Sequence, residues 1–238
     1  MRGIQINCDV GEGVGNEVEL MPFIHHCNIA CGGHAGDAIS MNEMVELAQK
    51  HKVGIGAHPS YPDPVNFGRK PFDIKSKDLI HSISKQIESL LKITRCQKAI
   101  VTHIKAHGAL YNDIAKNEVL ARAYLNAVRR YKINVKLVVP YNSIIAKLAI
   151  EQGFTAVYEA FADRNYNDDL SLVSRGKENA ILTDISAILK HVKSMKVSGS
   201  VVTVNNRKIK ITADTFCVHS DTSNAIEIVK ALNKLAIS

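Results

Sequence analysis

The sequence predicts an α/β protein built as one (β/α) barrel. Three observations predict it. Apolar segments of strand length alternate with stretches of helical periodicity from end to end. Polar, chemistry-bearing residues gather just after those apolar segments, where a parallel barrel would collect them at one rim. The chain has 238 residues, a length at which such barrels commonly form a single domain.

The elements follow in order. Residues 3–9 (G-I-Q-I-N-C-D) read as a first strand and 26–31 (H-C-N-I-A-C) as a second. Residues 40–51 place Met41, Met44, Val45 and Ala48 on one helical face, with Ser40 or Asp37 as the N-cap. Residues 53–58 are a third strand, followed by a Pro/Gly-rich loop to about Asp73. Ser76 is expected to cap a helix over about 77–93, whose buried face carries Ile80, Ile83, Ile87, Leu90 and Leu91. Residues 99–107 are a fourth strand, 117–131 a helix and 135–140 a fifth strand. Ser143 caps a helix that ends before Gly153, 155–161 is a sixth strand and 184–194 a helix.

Then the pattern changes. Residues 200–204 and 208–212 flank Asn205-Asn206-Arg207 and predict a late β-hairpin. Residues 215–219 are a last strand, and an amphipathic helix runs from about Ser223 to the end. Strands alternating with helices imply about seven mostly parallel strands joined by helical crossovers. A closed or distorted barrel is favoured over an open doubly wound sheet. No linker, repeat or low-complexity tract interrupts residues 1–238, so one domain is expected.

Composition excludes several classes. Apolar residues make up 46% and charged residues 22%, which argues against a disordered chain. The formal net charge is +7, but the basic residues are scattered. The densest groups, Arg129-Arg130 and Arg207-Lys208-Lys210, are not interleaved with aromatics, and Trp is absent. A solvated basic surface is expected rather than a nucleic-acid face, and it would attract small anions. No run of about 18 apolar residues predicts a transmembrane helix, and Asp9 and Glu12 come too early for a signal peptide. The five cysteines are odd in number and form no C-x-x-C, as expected of reduced thiols in a cytoplasmic protein. Homo-oligomerisation is left open.

Six of the seven strand ends carry polar clusters. The first gives Asp9, Gly11, Glu12 and Gly13; the second Asn28, Gly32, Gly33, His34 and Asp37; the third His58 and Tyr61. The fourth gives Lys105, His107 and Tyr111; the sixth Glu159, Asp163 and Arg164; the last His219 and Asp221. Glycines beside such groups let backbone N–H groups approach a ligand. Gly11, Gly13 and Gly15 lack the full dinucleotide spacing, and no Walker A sequence is present. Asp9, His58 and His107 are candidate divalent-metal ligands; Cys27, Cys31 and His34 have irregular zinc spacing. Simpler roles stand beside these. Asp37 would cap a helix, the strand cysteines would pack as small apolar groups, and Asp163 with Arg164 would form a structural ion pair. Lys105 ends an apolar strand, which is costly unless it faces an anion or a carboxylate.

Seven segments carry a family resemblance. They are N-C-D-V-G-E-G (7–13), N-I-A-C-G-G-H-A-G-D (28–37), G-A-H-P-S-Y-P-D (56–63), F-G-R (67–69), K-A-H-G-A-L-Y-N (105–112), E-A-F-A-D-R-N-Y (159–166) and C-V-H-S-D-T (217–222). In this order they resemble the LamB/YcsF family, the A subunits of 5-oxoprolinase. Ala106 stands where the family usually has proline, and Ser220 and Leu170 where it usually has glycine.

The resemblance implies a barrel related to glycoside hydrolase and deacetylase barrels. It also implies ATP-dependent hydrolysis of 5-oxoproline (pyroglutamate) to L-glutamate, with ADP and phosphate released, in a complex with two partner subunits. ATP would be bound by this chain or by a partner. That reaction needs cations for oxyanion and phosphate, a base for water and a donor for the leaving nitrogen. Lys105 and Arg164 would face anionic groups, and His58 or His107 would move protons. Asp9 and Glu12 would orient water, hold a divalent metal or fix a histidine tautomer, with Asp163 beside them. Gly11, Gly13, Gly32 and Gly33 would donate N–H groups to substrate or phosphate. Asn28, His34, Tyr61, Arg69, Tyr111, His219 and Asp221 would complete the binding surface. The alternatives are a metal-dependent carbohydrate deacetylase or amidohydrolase, and a non-catalytic subunit that binds the substrate.

Overall fold

The structure, a computed structural model, describes residues 3–235. The first half runs β1 (Ile6–Val10), α1 (Glu17–Leu20), β2 (His26–Ala30), α2 (Ala38–His51), β3 (Gly54–His58), α3 (Ser76–Cys96), β4 (Val101–Lys105), α4 (Gly108–Lys116) and α5 (Glu118–Val128). The second half runs β5 (Lys136–Pro140), α6 (Ile144–Glu151), β6 (Thr155–Phe161), α7 (Ile185–Val197), β7 (Ser200–Val202), β8 (Lys208–Lys210), β9 (Thr215–Cys217) and α8 (Ala225–Asn233).

Seven strands close into a barrel in the order β1-β2-β3-β4-β5-β6-β9. Every pairing around it is parallel, and β9 closes it between β6 and β1. The late hairpin, β7 with β8, is antiparallel and stands outside the barrel. The predicted barrel and its hairpin are therefore both present.

Strand alternation divides the side chains between two environments. In β1, Ile6, Cys8 and Val10 point to the helices while Asn7 and Asp9 point into the lumen. The outer layer is apolar: Ile29, Ile55, Ile104, Leu137 and Phe216 are buried there among Val45, Ile83, Leu90, Leu125 and Ile228 of the helices. Each such side chain contributes about 1.5–3 kcal/mol. The lumen is polar. Asn7, Asp9, Asn28, His58, His103, Lys105, Glu159 and Thr215 are all buried. The apolar outer layer offsets the cost of enclosing so many polar groups, and hydrogen bonding among them reduces that cost.

Local signals explain most boundaries. Asp37 and Ser40, both expected caps, form a reciprocal capping box at α2, with Ser40 N donating to Asp37 Oδ1 at 2.8 Å. Asn117, Ser143 and Asp184 cap α5, α6 and α7 through their side chains. Ser76 departs from expectation: it is the first residue of α3, and the cap position is Lys75, with no side-chain bond.

The fourth strand also differs, ending at Lys105 rather than residue 107. His107 becomes the cap position of α4, a helix of nine residues where the sequence predicts no regular element. Gly108 allows the change of direction: its φ is +56°, and a Cβ there would strike the Gly68 carbonyl. The last strand stops at Cys217, which leaves His219 in the following turn. The predicted run of the final helix to the chain end falls partly on residues 236–238, outside the described residues. No helix among the described residues is long and apolar enough to cross a membrane.

Candidate active site

A cavity of about 430 Å³ opens where the strands end. Of the residues expected to be catalytic, Asp9, Glu12, His58, Lys105, His107 and Arg164 line it. Arg69, Tyr111 and His219 line it too, with Phe161 and Arg175 on the wall. The volume lies within the range of small-molecule sites.

Asp9 sits at the centre of the floor. Its Oδ1 accepts from Asn28 Nδ2 at 2.8 Å and from Lys105 Nζ at 3.0 Å. Its Oδ2 lies 3.3 Å from His58 Nε2. Burial works against the Asp9 charge, and His58, when its Nε2 carries the proton shared with His107, outweighs it together with Lys105, holding the carboxyl well below its ordinary range. Behind Asn28 stands His103, whose Nε2 is 2.8 Å from Asn28 Oδ1. Since Asn28 spends its amide N–H groups on Asn7 and Asp9, its oxygen accepts from His103. Burial lowers His103 to about 3, so the ring is neutral and serves as a fixed donor.

Lys105 is 2% exposed and meets Asp9 on one side and Glu159 Oε1, at 2.9 Å, on the other. Burial opposes its charge, but the two carboxylates outweigh burial and keep the ammonium protonated. Of the two partners expected for Lys105, an anion or a carboxylate, the structure shows carboxylates, Asp9 and Glu159.

Two histidines define the chemistry. His58 Nδ1 is 3.0 Å from the Lys105 carbonyl, and His107 Nε2 is 3.0 Å from the Phe67 carbonyl. A carbonyl can only accept, so both ring nitrogens donate. The remaining nitrogens, His58 Nε2 and His107 Nδ1, face each other at 3.0 Å. In neutral rings both are lone pairs. Glu12 Oε1 joins them, 3.2 Å from His107 Nδ1 and 3.9 Å from His58 Nε2.

One ligand atom each from Asp9, Glu12, His58 and His107 thus falls within 4.8 Å of the others. Four acceptors turned together need a cation between them, either a proton or a metal. Two imidazoles and two carboxylates suit a first-row divalent ion, and a backbone carbonyl behind each imidazole is the usual support of a metal-bound histidine. His34 completes the surround. Its Nε2 donates to Glu12 Oε1 at 2.8 Å, and its ring stacks on His107 at 3.5 Å. Burial lowers His34 to about 4. Burial tends to raise Glu12, but hydrogen bonds from His107, when its Nδ1 carries the proton shared with His58, and from His34 prevail and keep it ionised.

On the opposite wall, His219 Nδ1 lies 3.0 Å from Asp163 Oδ1, and its ring stacks on Phe161. Asp163 is fully buried and also accepts from the His219 amide and from Thr222 Oγ1 at 2.7 Å. Burial opposes its ionisation, and His219 and Thr222 hold it ionised. The expected Asp163–Arg164 ion pair is not formed. Arg164 instead donates to the Ala180 carbonyl through Nε and to the Val173 carbonyl through Nη2.

The remaining expected residues divide by position. Arg69 and Asp221 pair with each other at 2.6 Å at the cavity mouth. Tyr111 is buried on the wall beside Glu159; burial and that carboxylate push its phenol up. Tyr61 is turned away, donating to Asp113 at 2.9 Å. The Gly11 and Gly32 amides are taken by Glu17 and the Ala35 carbonyl, so the structure does not offer them to a ligand. Gly13 has open space where a side chain would begin, and Gly33 is needed for packing, because a Cβ there would strike Ser60 and Gln86. Cys27 and Cys31 are buried thiols, both pushed up to about 12 by burial, and neither joins His34 in a ligand set.

Sequence reasoning missed His103, Asn7, Arg175 and the pairing role of Glu159. Part of that was readable. His103, Lys105 and His107 alternate at every second position, the period of a strand with one polar face.

Comparison with known proteins places the chain in a family. The model of the LamB/YcsF family matches residues 4–237. A protein of Pyrococcus abyssi, named as the A subunit of 5-oxoprolinase, is 39% identical over 98% of this chain and 93% of its own length. Its namesake from Nitrobacter hamburgensis is 42% identical over 97% of this chain and 93% of its own. The crystal structure of a lactam utilization protein from Thermus thermophilus superposes with a TM-score of 0.89 at 30% identity, covering 98% of this chain and 95% of that one. A family 18 chitinase from Pseudoalteromonas aurantia, 7% identical with a TM-score of 0.54 over 96% of this chain and 99% of its own, shares the barrel alone. The chain belongs to the LamB/YcsF family.

Proposed function

We propose that this chain is the A subunit of an ATP-dependent 5-oxoprolinase, and that its cavity is where 5-oxoproline is opened to L-glutamate. The observation that carries the reading is the convergence of His58 Nε2, His107 Nδ1, Asp9 and Glu12 beside a separate His219–Asp163 pair. The names of the relatives supply the substrate and imply an assembly with other subunits.

The chemistry needs a water activated on one side of the lactam carbon and a proton delivered to the ring nitrogen on the other. Asp9, Glu12, His58 and His107 are the base-side group, since all four present lone pairs. Lys105 holds Asp9 ionised and in place. His219, oriented by Asp163 through Nδ1, turns its other nitrogen to the cavity; as an imidazolium, with its second proton on that nitrogen, it is the donor for the leaving amine. ATP, held by this chain or by a partner subunit, is spent on making the lactam carbonyl a better electrophile: its γ-phosphoryl group passes to the lactam oxygen and ADP leaves. Addition of water and cleavage of the C–N bond then give an acyl phosphate of glutamate, and a second water releases phosphate and L-glutamate. A first-row divalent ion held by the base-side group would lower the pKa of its water.

A second reading, a metal-dependent amidohydrolase that needs no ATP, is favoured by the same four acceptors. One assay separates the two: glutamate release from 5-oxoproline, with and without ATP and the partner subunits, alongside metal analysis of the purified chain. ATP-dependent release supports the first reading. Release by the metal-loaded chain alone supports the second.

A further inference from the structure

The charges on the cavity wall do not balance. Lys105 is matched by Asp9 and Glu159, but Arg164 is not matched by any carboxylate within 4.0 Å among the described residues. Arg164 is only 5% exposed and lines the cavity. Its two bonds to the Ala180 and Val173 carbonyls orient the guanidinium without neutralising it. An uncompensated buried cation is costly, and a site retains one where a ligand supplies the counter-charge.

Arg175 lines the same wall. Its guanidinium donates to Asp221 at 3.1 Å, and Asp221 also accepts from Arg69 at 2.6 Å. Two guanidinium groups at the mouth, those of Arg69 and Arg175, thus share one carboxylate, while Arg164 has none within 4.0 Å among the described residues. The Arg175 and Asp221 side chains are 29% and 28% exposed, so water and solutes reach their bridge. A fork of guanidinium donors at fixed orientation recognises a carboxylate or a phosphate oxyanion in two-point fashion.

We infer that Arg164 and Arg175 form a clamp for an oxyanion carried by the substrate, with Asp221 as the exchangeable counter-ion that occupies Arg175 until the substrate arrives. This rests on the lactam reading for its ligand: the oxyanion is the carboxylate of 5-oxoproline, which the clamp holds while the ring carbonyl faces Asp9 and His58. A phosphate group would satisfy the same donors, so the two sources must be separated by experiment.

The test is calorimetric titration of the full chain with three probes: 5-oxoproline, 2-pyrrolidinone (the same ring without the carboxylate) and inorganic phosphate. The variants are Arg164→Gln, Arg175→Gln and Asp221→Asn, each checked by its thermal melt. The expected result is a loss of 5-oxoproline affinity of about 10- to 100-fold in each arginine variant. Asp221→Asn should bind it more tightly, and 2-pyrrolidinone should be indifferent to all three changes. Arginine-dependent binding of phosphate but not of 5-oxoproline would keep the clamp and sink the lactam reading. Undiminished 5-oxoproline binding in both arginine variants would overturn the clamp and leave the lactam reading standing. A wild-type chain that binds neither anion overturns the clamp. Arg175→Gln keeps the test decisive if Arg164→Gln fails to fold, because Arg175 is partly exposed and pins no backbone carbonyl.

Discussion

His58 Nε2 and His107 Nδ1 stand 3.0 Å apart, and each ring's other nitrogen is committed to a backbone carbonyl. Two fixed tautomers thereby turn two lone pairs toward Asp9 and Glu12. That relationship makes the floor of the barrel a cation-seeking centre, and it depends on residues from β1, β3 and the β4–α4 junction meeting at one point.

Lys105→Met should be damaging to the fold as well as to activity. It leaves Asp9 and Glu159 buried without their shared cation, a change that costs about 3–5 kcal/mol. Urea unfolding measures it. The double variant Lys105→Met with Glu159→Gln should recover part of the loss, because one of the two stranded carboxylates is removed. Stability equal to wild type in Lys105→Met would mean that the pairing contributes nothing.

Gly56→Ala tests the support behind Asp9. A Cβ at Gly56 would collide with the His103 imidazole, and nothing in the packed lumen lets that ring retreat without releasing Asn28. The expected cost is about 1–3 kcal/mol of stability, as for other overpacked sites. Turnover should fall with it, since Asn28 also fixes Asp9. A variant with unchanged melting temperature and unchanged turnover would show that His103 does not position the carboxylate.

His219→Asn should lower kcat by about 10²- to 10⁴-fold while KM changes little, the signature of a lost proton donor. Asp163→Asn should follow it, because the carboxylate fixes the ring through Nδ1. Steady-state kinetics on the assembled complex reads both. A pure KM effect in His219→Asn would move that residue from proton transfer to binding.

Acid should destabilise the chain over a defined window. Burial lowers His103 to about 3 and His34 to about 4, while an unfolded histidine titrates near 6.5. Between those values the unfolded chain binds protons that the folded chain does not. Their contribution is therefore fully present above pH 6.5 and is lost as pH falls toward 4 and then 3. Chemical denaturation at a series of pH values checks it; a flat profile from pH 7 to pH 4 would contradict it.

Much of the fold was legible because the strands and their helices carry unambiguous periods. Residues 155–161 were bounded correctly from sequence, since Val157 to Phe161 is a continuous apolar run with a single charge. The α4 helix was not legible. It is short, begins at a glycine of positive φ and follows directly on the polar end of β4, so its local signal is that of a loop. The site was legible as a list of strand ends but not as a set of partners. Asp163 and Arg164 are neighbours in sequence, yet one faces His219 and the other the carbonyls of a distant loop. Likewise Lys105 called for an anion or a carboxylate without its local sequence saying which, because Glu159, which meets it from across the lumen, lies two strands away.

The most direct test of the central claim is glutamate release from 5-oxoproline by the complex reconstituted from this chain, its partner subunits and ATP, comparing wild type with His58→Gln. The account predicts ATP-dependent release by wild type and a loss of at least about 10³-fold in the variant, with assembly intact. Release at the wild-type rate by His58→Gln would contradict it, because the lactam would then be opened somewhere other than this cavity.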